Sequence, residues 1–260
     1  MDLQLTGKRS IVTGGSAGIG LAVAKTLAQE GVEVVIPGRN KAKLDQAIAY
    51  IGSKKVRGLV ADVATAEGAQ KVIREVPETD ILVNNLGIYE VKQFIDISDD
   101  DWLKIFETNV MSGVRLSRHY LPGMLGRDWG RIVFVSSESA INIPAEMIHY
   151  GMTKTAQLAV ARGLAETTKG TRVTVNSVLP GPTRSEGIVE FLKSMSSNPN
   201  ASEEQAVQEF FDKHRPSSLL RRLIEPEEVA ALVAYVASPL AAATNGAPLR
   251  VEGGLLRNVA

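Results

Sequence analysis

Residues Lys8–Ile36 read KRSIVTGGSAGIGLAVAKTLAQEGVEVVI. Lys8–Thr13 has the short apolar pattern of a buried strand, and a glycine-rich turn, Gly14–Gly20, follows at once. The next twelve residues have helical periodicity and stop at Gly31, a residue suited to closing a helix. Val32–Ile36 is a second buried strand. Strand, glycine turn, helix and strand within about thirty residues form the βαβ unit of a dinucleotide-binding fold. The reason is close approach. Glycines leave room for a pyrophosphate, and the helix N-terminus offers free N–H groups and a positive dipole end.

Strand and helix patterns go on alternating. Strands are expected at Val56–Val60, Ile81–Val83, Arg131–Val135, Arg172–Val178 and Pro248–Val251, separated by helices at Lys41–Gly52, Ala66–Val76, Trp102–Leu121, Tyr150 onward and Glu225–Ala237. Ser98 with Asp101 three positions later is a helix start, so the acidic run Asp99–Asp101 reads as dipole complement rather than as a metal or catalytic cluster. The count implies an α/β chain, a doubly wound and mostly parallel sheet of about seven strands with helices on both faces.

A second stretch carries chemistry. Val135–Lys154 reads VSSESAINIPAEMIHYGMTK, and it places Ser137 at a strand end and Tyr150 and Lys154 four apart at a helix start. Four apart on a helix is one face. An ammonium beside a phenol favours the phenolate and is expected to lower the tyrosine pKa from its usual ~10. Ser137 could hydrogen-bond the oxygen that the phenol serves. The competing reading is a solvated Tyr–Lys pair, which is common.

Composition narrows the rest. The 29 basic and 29 acidic residues balance, so there is no electrostatic case for nucleic acid or an anionic membrane. No cysteine is present, which removes disulfides and thiolate chemistry. His119, His149 and His214 are scattered without ligand spacing, so no metal site is expected. No apolar run reaches a membrane-spanning length, and the N-terminus lacks the apolar core of a signal peptide, so a cytoplasmic location is the expectation.

In Thr13–Gly20, TGGSAGIG, three residues separate Gly14 from Gly18, a wider spacing than GxGxxG. Asn84-Asn85-Leu86-Gly87 is similar to an NNAG element with Leu86 in place of a small alanine, and Tyr150–Lys154 is a YxxxK pair. Together these resemble the short-chain dehydrogenase/reductase family, of the 3-oxoacyl-reductase-like type, over essentially the whole chain. The resemblance implies one NAD(P)-binding Rossmann domain over 1–260. It assigns catalysis to Asn109, Ser137, Tyr150 and Lys154, with Asn109 kinking its helix, binding a water and linking the lysine to solvent. It places the cofactor against Gly14, Ser16, Gly18, Ile19 and Gly20, lays Asp62 and Val63 along the adenine, and borders the cofactor with Asn85 and Gly87. Tyr150 and Lys154 meet the ribose, and Pro180, Gly181, Thr183 and Ser185 meet the nicotinamide amide and pyrophosphate. A homo-oligomer, commonly a tetramer or else a dimer, is implied as well.

An acid at the end of the second strand would hold a free ribose; here Gly38 stands there, followed by Arg39, whose guanidinium suits a 2′-phosphate. NADP(H) is therefore expected over NAD(H), against the reading of Arg39 as a solvated residue near Lys41 and Lys43. From about 184 to 224 two amphipathic segments flank a polar link, a candidate helical lid. Its Ile188, Phe191, Leu192, Met195, Phe210 and Phe211 either line an apolar substrate pocket or hold the lid down. The expectation is an oxidoreductase interconverting a small-molecule carbonyl and a secondary alcohol, with Tyr150 as acid/base. The alternatives are an enoyl reductase, whose tyrosine and lysine are more widely spaced, and a redox-sensing or regulatory module that binds nucleotide without turnover.

Overall fold

The computed structural model describes residues 1–198 and 200–259. Seven strands form one parallel sheet: β1 Arg9–Val12, β2 Glu33–Gly38, β3 Val56–Val60, β4 Ile81–Asn84, β5 Gly130–Val135, β6 Val173–Pro180 and β7 Pro248–Val251. Their order across the sheet is β3-β2-β1-β4-β5-β6-β7. Parallel strands need crossovers, and helices supply them on both faces. On one face α1 Gly18–Gln29, α2 Lys41–Ile51 and α9 Pro226–Ala237 pack over Val12, Ile36, Val133 and Val135. On the other, α3 Ala66–Glu75, α5 Ser112–Gly126 and α6 Ile148–Glu166 pack over Ile11, Leu82, Ile132 and Phe134. Neighbours in sequence such as Ile11 and Val12 go to opposite cores because side chains alternate along a strand.

Local chemistry sets the helix ends. Gly52 closes α2 at φ 67°, and Gly31 turns the chain after α1 at φ 87°, the left-handed region that glycine enters freely. Ser98 and Asp101 form a reciprocal capping box at α4 Asp99–Phe106. The single helix expected over Trp102–Leu121 is broken: a π-helical turn, Glu107–Met111, lies between α4 and α5 and is centred on Asn109. Strand β6 runs two residues beyond the expected Val178, to Pro180.

Between β6 and α9 the chain leaves the sheet to form α7 Glu186–Met195 and α8 Glu203–Lys213. Within the polar link between them, Pro199 lies outside the described residues. The base of this segment is pinned where Arg184 N donates to Ile224 O at 2.8 Å and Ile224 N donates to Pro182 O at 2.9 Å. Its basic pair is neutralised locally, Arg221 by Asp212 and Arg222 by Glu228. No helix among the described residues is long and apolar enough to cross a membrane.

Candidate active site

Strand order reverses between β1 and β4, and in open α/β sheets ligands bind outside the carboxyl ends of the strands at such a point. Thr13, just past β1, stitches the two strand ends together. Its hydroxyl donates to Val83 O at 3.3 Å and accepts from Asn85 N and Leu86 N at 2.9 Å each. Asn85 returns the tie, its Nδ2 donating to Thr13 O at 3.0 Å. A Cβ on Gly20 would lie 2.3 Å from Gly14 O and 2.5 Å from Asn85 Nδ2, so the turn closes only with glycine. Gly18, at φ 51°, opens instead toward free space, with Ser185 Cβ 3.9 Å from where its own would stand. Ala17 caps α1 without a side-chain bond, and no acid sits in the first turn, so the N–H groups of this helix start are open to an anion. These residues fit a dinucleotide pyrophosphate.

A cavity of about 800 Å³ runs along this edge, at the upper end of the range for ligand sites. Of the residues assigned a role from sequence, all line it except Arg39, Asp62, Val63 and Asn109. Arg39 is exposed beyond β2 and makes no ion pair among the described residues. Asp62 accepts from Ala64 N at 3.1 Å, and Val63 is buried in the core, 3% exposed. The apolar residues of α7 and α8 divide their work. Leu192, Phe210 and Phe211 are buried with Ala206 and Leu223 in a cluster of their own, with Ile188 and Phe191 packed against it, and of these Ile188, Phe191 and Phe210, together with Met195, also line the cavity. Among the described residues no group of acids and histidines could hold a metal ion.

Ser137, Tyr150 and Lys154 share one wall of the cavity. Lys154 is 4% exposed; its Nζ donates to Val135 O at 3.0 Å and Gln157 Oε1 at 3.2 Å and lies 5.6 Å from the Tyr150 ring centre. Burial lowers its pKa from the usual range to about 8. Ser137 donates its proton to Glu138 Oε2 at 2.5 Å. Tyr89, from the loop after β4, stands edge-on to Tyr150 with ring centres 6.3 Å apart. Neither Glu138 nor Tyr89 was singled out from sequence, although Glu138 directly follows Ser137.

The short chain dehydrogenase family model matches residues 8–195. The chain belongs to that family. An oxidoreductase of Bacillus subtilis known as YvaG, itself uncharacterised, is 46% identical over the full length of both chains. A 3-oxoacyl-[acyl-carrier-protein] reductase of Vibrio cholerae is 31% identical, covering 97% of this chain and 99% of its own. Among solved structures, L-sorbose reductase of Gluconobacter frateurii, complexed with NADPH and L-sorbose, superposes with a TM-score of 0.92 at 30% identity over the whole of both chains. As a short-chain dehydrogenase the chain is an NAD(P)-dependent oxidoreductase acting on CH–OH and C=O groups.

One expectation for this short-chain dehydrogenase is corrected. The Tyr150 pKa is raised, not lowered: burial of the phenol dominates, and the hydrogen bond with Ser137 offsets it only in part. Lys154 directs its ammonium at Val135 and Gln157 rather than at the phenol oxygen. Asn109, at the π-helical turn, is held by its own hydrogen bonds. Its side chain accepts from Ile88 N at 2.8 Å and donates to Ile88 O at 2.9 Å and Thr153 Oγ1 at 3.0 Å. Its backbone carbonyl accepts Gln157 Nε2 at 2.6 Å. The Gln157 amide thus joins Lys154 to the Asn109 carbonyl directly. Gln157 lies three positions after Lys154, on the same helix face, and that spacing is the signal that could have found it.

Proposed function

We propose that this chain reduces a carbonyl to a secondary alcohol, and reverses the reaction, with NADP(H) as cofactor. The observation that carries the reading is the half-buried Tyr150 phenol, standing on the cavity wall in contact with the Ser137 hydroxyl. A phenol that holds its proton at neutral pH can give it to a carbonyl oxygen in reduction, and its phenolate can take one back in oxidation. The cofactor, when bound, supplies the hydride. Gly14, Gly18 and Gly20 admit the pyrophosphate, while Lys154, charged below about pH 8, holds the ribose hydroxyls. On substrate binding the Ser137 hydroxyl turns from Glu138 to the substrate oxygen, where a fixed donor stabilises developing negative charge. Glu138 Oε2 keeps the Ser139 N–H at 2.6 Å and the Ser139 hydroxyl at 2.8 Å when it does.

Preference for NADP(H) rests on Gly38 and the unpaired, exposed Arg39 at the end of β2, and NADPH is the cofactor in the L-sorbose reductase neighbour. The α7–α8 segment is read as a lid, and a homo-oligomer is the expected assembly. Tyr150→Phe is the test. NADPH binding, followed by its fluorescence, should survive, while NADPH oxidation with ketones falls by about 10³-fold or more, the phenol's proton being the one transferred. Substantial carbonyl reduction by that variant would sink the assignment. Wild-type binding without turnover on any ketone would instead favour a regulatory module.

A further inference from the structure

Next to Ser137 the cavity wall carries an ion cluster that proton and hydride transfer leave unused. Glu138 is 4% exposed, and its Oε2 is saturated by the Ser137 hydroxyl, the Ser139 N–H and the Ser139 hydroxyl. Its Oε1 accepts no hydrogen bond among the described residues; it faces Arg215 Nε at 3.5 Å as an ion pair. Arg215 reaches the cavity from just beyond the end of α8. Its side chain is only 11% exposed, its Nη1 donates to His214 O at 2.8 Å, and its guanidinium lies 5.5 Å from the Phe210 ring centre. The buried Nε–H has no hydrogen-bond partner among the described residues. Glu138 Oε1 and Arg215 Nε, paired as ions without closing a hydrogen bond, therefore stand side by side, one residue from Ser137. Buried polar groups without partners are costly, and one in a cavity wall is a place for a ligand to complete.

The group that meets both at once is a hydroxyl, which donates its proton to Glu138 Oε1 and accepts from Arg215 Nε. An alkyl group meets neither. A carboxylate meets Arg215 but also Glu138 and Glu146, whose Oε1 is 3.9 Å from Arg215 Nη1, so it joins two negative charges around one positive. Building on the carbonyl reading above, we propose that Glu138 and Arg215 form a hydroxyl-binding subsite. The substrate is then a neutral carbonyl compound with a hydroxyl on the carbon next to the reacting one, rather than a plain ketone or a keto acid. Ser137 Oγ lies 2.5 Å from Oε2 of the same carboxylate, so the hydroxyl and the reacting carbonyl meet adjoining groups of the wall.

The test compares kcat/KM at saturating NADPH for acetophenone, 2-hydroxyacetophenone and phenylglyoxylate, and for butan-2-one, 1-hydroxybutan-2-one and 2-oxobutanoate. Sites built to hydrogen-bond a hydroxyl discriminate strongly against analogues lacking it, so the hydroxy ketone should exceed both companions by at least about tenfold in one series or both. Arg215→Lys keeps the positive charge and removes the Nε–H, and it should bring the ratio of hydroxy ketone to ketone close to one. Glu138→Gln removes the charge that faces an anion, and it should raise the keto acid relative to the hydroxy ketone. NADPH binding and Tm establish that both variants fold. Turnover of ketones with a wild-type ratio below about tenfold in both series overturns the subsite; so does a ratio that Arg215→Lys leaves unchanged. No turnover of any of the six compounds with NADPH or NADH overturns the carbonyl reading itself, and the subsite with it.

Discussion

Gln157→Leu keeps the bulk of the side chain and removes both of its hydrogen bonds. Lys154 Nζ is left with Val135 O alone, and the Asn109 carbonyl loses the amide that meets it at 2.6 Å. A hydrogen bond to a charged group contributes about 1.5–3 kcal/mol, and a buried acceptor left unmet costs about 1–3 kcal/mol. A loss of roughly 4 kcal/mol follows, and at about 2–3 °C per kcal/mol for a chain of this size Tm should fall by about 10 °C. The same change acts on titration. Gln157 Oε1 stabilises the ammonium, so its removal lowers the Lys154 pKa further below about 8. With one pKa unit equal to about 1.4 kcal/mol, the shift is about one unit or more. Lys154 is charged below its pKa, so NADPH affinity should decline on the alkaline side, and the midpoint of that decline should move to lower pH in the variant. Fluorescence titration of NADPH from pH 6 to 9, with thermal melts beside it, reads both effects. A variant whose Tm stays within about 2 °C of wild type and whose alkaline limb does not move would refute the Lys154–Gln157–Asn109 link.

Arg39→Asp replaces a phosphate-compatible cation with an acid at the end of β2, and the ratio of NADPH to NADH affinity should drop by about 10²-fold, both from lost attraction and from repulsion of the 2′-phosphate. Isothermal titration with the two cofactors checks this, and an unchanged ratio removes Arg39 from the cofactor site. His149 is 1% exposed, neither ring nitrogen has a hydrogen-bond partner among the described residues, and its ring stands edge-on to Trp102 with centres 5.8 Å apart. Burial lowers its pKa, Glu90 and Asp101 pull it up and Lys92 pushes it down. The unfolded chain therefore takes up a proton near pH ~6.5 that the folded one resists, so His149 erodes stability as pH falls through and below that value. Melts of His149→Phe should lose less Tm than wild type between pH 7 and 5; parallel curves would show that His149 does not titrate differently in the folded chain.

Sequence alone determined the βαβ opening, the alternation that builds a parallel sheet, the glycine turn, and the placing of Tyr150 and Lys154 on one helix face. All of these are local: helical and strand periods, capping residues and the steric freedom of glycine act within a few residues, so they are written in the order of the chain. Even the break at Asn109, implied by family resemblance, lies at the expected residue. What tertiary structure decided is the state and company of those side chains. The Tyr150 phenol is pushed up rather than down because burial, which no spacing encodes, outweighs its neighbours. Arg215 meets Glu138 only because α7 and α8 fold back over the carboxyl edge of the sheet. Gln157 reads in sequence as one more polar residue in a helical stripe, and its second partner emerges only when the π-helical turn brings the Asn109 carbonyl against α6. Pairings between distant segments depend on how faces pack, and that information is spread over the whole chain rather than held in any one motif.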